Sequence, residues 1–86
     1  MKTIKFFGHK NIIFRNLQIE REKQKLSQQD LASKLQTMGV SIDQQAISKI
    51  ELDKRIVTDY ELMCICKILQ VTEEQMLDKN ISKSEN

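Results

Sequence analysis

The chain has 86 residues, 40% hydrophobic and 30% charged, with a formal net charge of +2. That composition fits one small folded domain and excludes a disordered tail. No run of about 18 apolar residues occurs, so no membrane span is expected, and residues 1–7 lack the sustained apolar stretch of a secretory leader.

Residues 1–11 are expected to form an irregular extension, where weak alternation in 1–7 allows a short strand. A first helix is predicted over 12–24, with Ile13 and Leu17 on its inner face and polar turns from Glu20 to Gln24. Ser27-x-x-Asp30 then starts a second helix over 28–37, in the manner of a capping box. The serine hydroxyl can accept from the third amide of the helix, and the acid favours the positive end of the dipole. Leu26 and Leu31 flank the cap as a hydrophobic staple, and Leu31, Ala32 and Leu35 mark the inner face. This helix can run on another turn through Met38, and Gly39 suits a turn with positive φ.

Asp43 begins a third helix over 44–52, stapled by Ile42 and Ile47. Thr58-x-x-Glu61 begins a fourth over 59–69, whose Leu62, Ile65, Cys66 and Leu69 follow the helical period. Thr72-x-x-Gln75 begins a short fifth over 73–79, and residues 80–86 are expected to fray. Four starts with one grammar, no proline and only two glycines predict an all-α fold. The result is five short helices over 12–79, joined by tight connections.

Charge is unevenly spread. The first 25 residues hold seven basic side chains against two acidic ones, while residues 56–86 hold three against six. A basic front permits an anionic partner. The third helix sharpens this. At about 100° per residue, Ala46, Ile47 and Ile50 share one side, and Gln44, Gln45, Ser48 and Lys49 the other. The second side carries amides, a hydroxyl and an ammonium but no carboxylate. Such a face suits phosphates and base edges, since glutamine can pair bidentately with adenine and lysine can reach guanine or phosphate. It is also an ordinary solvated helix face.

The stretch Leu26-Ser27-Gln28-Gln29-Asp30-Leu31-Ala32-Ser33-Lys34-Leu35, a turn, and Gln44-Gln45-Ala46-Ile47-Ser48-Lys49-Ile50-Glu51 resembles the helix-turn-helix of phage-repressor-type regulators, the Cro/CI and XRE family. Lys54-Arg55, Asp59-Tyr60-Glu61-Leu62 and Leu69-Gln70-Val71-Thr72 continue the resemblance, which covers about residues 12–78. It implies a compact five-helix bundle of lambda-repressor-like fold and a transcriptional repressor that binds double-stranded DNA as a homodimer. By the same resemblance, Gln28 would hold a phosphate and brace Gln44. Gln44 and Gln45 would read bases, with Ser48 and Lys49 on bases or flanking phosphates. Lys54 and Arg55 would grip phosphates. Arg21 and Glu51 match a buried ion pair of the family. Three departures stand out: seven residues, Gln36 to Ile42, separate Leu35 from the third helix's cap, Leu52-Asp53 replaces the usual Asn-Gly, and Lys25 replaces a usual glycine.

Catalysis has little support. His9 is the only histidine and has no nucleophile at a motif spacing, so a surface role is expected. Cys64 and Cys66 supply too few ligands for zinc and no disulfide framework, which points to a reduced, cytoplasmic protein without cofactor. Cys66 is expected in the core, and Cys64 partly exposed or at an interface. A dimer face on the fourth and fifth helices would use Tyr60, Met63 and Cys64. The competing reading is a protein-interaction module, such as the antitoxin half of a toxin–antitoxin pair. It would hold its protein partner through Ile4, Phe6, Phe7 and the acidic C-terminal third.

Overall fold

A computed structural model of the chain describes residues 8–78. Five helices follow one another: α1 (Phe14–Lys23), α2 (Gln28–Thr37), α3 (Gln44–Glu51), α4 (Asp59–Leu69) and α5 (Glu73–Met76). No strand occurs among the described residues. The fold is the expected all-α bundle. The strand considered for 1–7 and the tail 80–86 lie outside the described residues, as do Ile4, Phe6 and Phe7.

The helix starts follow from side-chain chemistry. Ser27, Thr58 and Thr72 each accept the amide three residues on, and Asp30, Glu61 and Gln75 reach back to the cap amide. Asp43 caps α3 alone, accepting from the Ala46 amide at 2.8 Å. Each cap satisfies an amide that the helix cannot, about 1 kcal/mol apiece. The first helix starts later than its apolar period suggests. Asn11 Oδ1 accepts from the Ile13 amide at 3.1 Å, holding the chain in a turn until Phe14.

Helix ends follow a second rule. After α1, α2, α3 and α4 the chain makes the same paired closure, with a residue in left-handed conformation. At α2 this is Gly39, whose amide donates to Gln36, while that of Val40 donates to Leu35. This closure corrects the expected extra turn through Met38: α2 stops at Thr37, and Met38 is its exposed C-cap. At the other three ends the left-handed residue is Lys25, Asp53 or Gln70. The conformation usual for glycine is therefore kept at Lys25 and Asp53 despite the substitution, at a backbone cost of roughly 1 kcal/mol each.

Leu17, Leu31, Leu35, Ile42, Ile47, Ile50, Ile65, Leu69 and Met76 are fully buried and form one core. Val40 and Ile42 carry the long connection into that core, and Gln36 Nε2 donates to the Ile42 carbonyl at 3.0 Å. The seven-residue turn is thus packed down, which fixes α3 against α2. Asn16, buried on α1, donates to the carbonyls of Met76 and Asp78 and ties α5 to the front of the bundle. Gln24 Nε2 donates to the Leu69 carbonyl and links the end of α1 to the end of α4.

Candidate nucleic-acid interface

The core face of α3 decides what remains for a partner. Ile47, Ile50 and Glu51 are buried, Ala46 and Ser48 are half-buried, and Gln44, Gln45 and Lys49 are exposed. The exposed side therefore keeps its amides and ammonium free of carboxylates. Asp43, at the helix start, has turned its carboxylate onto the Ala46 amide.

A relay of side chains runs beneath that surface. Arg21 on α1 meets Glu51 on α3 bidentately, Nε to Oε2 at 2.7 Å and Nη2 to Oε1 at 3.0 Å. Its remaining nitrogen, Nη1, donates to the Leu26 carbonyl at 2.7 Å. Glu51 Oε1 also accepts from Gln28 Nε2 at 3.0 Å, and Gln28 Oε1 accepts from Gln44 Nε2 at 2.8 Å. The hydrogen bond to Glu51 raises the Arg21 pKa above its usual value, outweighing desolvation, so the guanidinium stays charged. Gln28 spends both ends of its amide here, which fixes which end carries the oxygen. Gln44 is exposed and held at its nitrogen, and its oxygen takes part in no hydrogen bond among the described residues. Gln45 has no such brace among the described residues.

The two basic residues after α3 part company. Lys54 is exposed and has no ion pair among the described residues. Arg55 is half-buried, and Glu61 holds it bidentately, Nη1 to Oε1 at 2.9 Å and Nη2 to Oε2 at 3.0 Å. Arg55 also donates to the Ile56 carbonyl at 2.9 Å. The Glu61 hydrogen bond raises the arginine's pKa, and the same bond is the chief cause holding the Glu61 carboxyl below its usual value. A guanidinium so occupied is not a free phosphate grip, because it would have to leave its carboxylate first.

Three residues at the end of α3 escaped sequence reasoning. Asp53 accepts from His9 Nδ1 at 2.7 Å, from the Lys10 amide at 2.9 Å and from the Asn11 amide at 3.2 Å. Buried Asn11 donates to the carbonyls of Ile50 at 3.1 Å and Arg55 at 2.9 Å. His9 also packs its ring 5.4 Å from that of Phe14. Residues 8–13 therefore form a strap sewn onto the end of α3. Partners about 40 residues apart leave no local spacing to read; the one hint was an acid where a turn favours glycine.

Cys64 is buried, 8% exposed, which corrects its expected partial exposure; it sits in the core beside Cys66 because α4 is packed on both flanks. Burial pushes the Cys66 thiol up to about 11, so it is a poor thiolate. Tyr60 and Met63 are exposed. No group of three or more potential metal ligands occurs among the described residues, and none of their helices is long and apolar enough to cross a membrane. Compared with known proteins, the chain matches the family described as Helix-turn-helix over residues 17–76, from within α1 to the end of α5. No curated protein and no solved structure matches it.

Proposed function

The chain belongs to the helix-turn-helix family of Cro/CI and XRE type, whose members are DNA-binding regulators, and from that premise we propose that it is a cytoplasmic transcriptional repressor that reads the major groove of double-stranded DNA with α3. The observation that carries this reading is the relay from Arg21 to Gln44. It orients one glutamine on an exposed, carboxylate-free helix face and leaves Gln45 beside it for the next base. A glutamine whose amide is already oriented loses less freedom on pairing with a base edge. Ser48 and Lys49 continue the face toward bases or flanking phosphates. Gln28 would also meet the DNA backbone through the second hydrogen of its Nε2, since only one is given to Glu51. Lys54 supplies a phosphate contact, whereas Arg55 serves chiefly to brace the loop against Glu61.

The protein acts as a homodimer in this proposal, with half-sites about one helical turn apart. Tyr60 and Met63, one turn apart on α4 and exposed, offer apolar surface for the second copy. Cys64, being buried, does not.

Selection from random duplexes at physiological salt is the test. A symmetric motif is expected, and Gln44→Ala or Gln45→Ala should each weaken the selected duplex by about 1–3 kcal/mol at particular base positions. Lys54→Ala should instead weaken all duplexes and lower the salt slope by about 1. Base reading by α3 is refuted if the double Gln44/Gln45 alanine variant still separates selected from scrambled duplex as well as the parent does.

A further inference from the structure

The strap at the end of α3 has a chemistry that the relay does not use. Asp53 and Asn11 bind it through backbone groups and through His9, so the Lys10 side chain takes no part in the attachment and is exposed. The attachment point lies next to Lys54. The Lys54 amide in turn donates to the Lys49 carbonyl at 2.8 Å, which folds the chain back against the last turn of the helix. The backbones of Lys10, Lys49 and Lys54 thereby meet at the end of α3, and all three side chains are exposed and without an ion pair among the described residues. Asp53 forms no ion pair with any of them among the described residues; its oxygens accept from His9 and two backbone amides. Meanwhile Arg55, the loop's other cation, is locked to Glu61.

We propose that Lys10 is a phosphate-contacting residue and that Asp53 is the positioning residue that brings it there. The strap restores the second cation that the loop loses to Glu61. The ligand is the phosphate backbone of duplex DNA beyond the last base read by α3, so the inference rests on the DNA-binding reading above. A contact of this kind carries no sequence information; it adds affinity and counterion release.

The full chain is titrated with a mixed-sequence duplex of about two helical turns over a range of salt concentrations. Lys10→Ala is expected to reduce the slope of log Kd against log salt by about 0.9, the value for one lost phosphate contact, and Lys10→Arg to restore it. Preference among duplexes should stay as in the parent. In an Asp53→Gly background, which keeps the left-handed backbone but removes the clamp, Lys10→Ala should change the slope by less than half as much. An unchanged slope in Lys10→Ala overturns the phosphate contact. An equal loss in both backgrounds overturns the positioning role of Asp53. Failure of the parent chain to retain any duplex at low salt defeats the DNA-binding reading, and this inference with it.

Discussion

Glu51 and Asp53 stand two residues apart, and each carboxylate ties the end of α3 to an earlier part of the chain. Glu51 is buried and meets a guanidinium that is itself buried. Asp53 is half-exposed and meets a histidine and two backbone amides at the rim. Both clasps use charge-assisted hydrogen bonds of similar length. Their surroundings make the difference. Removing one partner of the buried clasp strands a charge away from water, whereas at the rim water replaces whatever is lost. The inner clasp orients the helix and, through Gln28, a side chain on its outer face. The outer clasp holds only the strap.

That contrast can be broken at three places. The largest effect is expected for Glu51→Ala, which leaves Arg21 buried without its carboxylate. Breaking a buried pair costs about 3–5 kcal/mol, and the loss here should fall near 3 because Arg21 keeps its bond to the Leu26 carbonyl and has Glu22 at 3.8 Å. Urea unfolding measures it, and a loss below about 1 kcal/mol would place the pair with surface bridges.

The outer clasp should yield to acid instead. Burial raises the Asp53 pKa, but the His9 bond and the amides of Asn11 and Lys10 together lower it below its ordinary 3.8. A carboxyl whose folded pKa is depressed contributes stability above its unfolded pKa and loses it as pH falls through the folded one. The clasp should therefore hold from neutrality down to about pH 4 and loosen below that. The amide resonances of Lys10 and Asn11 should shift together with a midpoint under 3.8. A midpoint above that value would show that the carboxylate gains nothing from the strap.

The smallest effect separates backbone from side chain. Lys25 and Asp53 occupy the same left-handed position after their helices, with φ of 59° and 60°. The Lys25 side chain is exposed and takes part in no hydrogen bond or ion pair among the described residues. Lys25→Gly should relieve the left-handed cost of roughly 1 kcal/mol and give part of it back through a looser unfolded chain. A gain of about 0.5 kcal/mol in thermal unfolding is expected. Asp53→Gly relieves the same backbone and also loses the clasp, so it should gain less. Equal gains would mean the strap adds no stability.

Much of this protein could be read in one dimension. The caps at Ser27, Asp43, Thr58 and Thr72 and the apolar periods after them are local, spanning three to eight residues, so periodicity and hydrogen-bond chemistry locate where α2, α3, α4 and α5 begin. The polar face of α3 was legible for the same reason. The pairing of Arg21 with Glu51 needed the family resemblance, since nothing within 30 residues of chain announces it. The fate of Arg55, the burial of Cys64 and the strap held by Asp53 were decided only when distant segments packed together. A charged side chain chooses among partners by proximity in space and access to water, and neither exists until the core has closed.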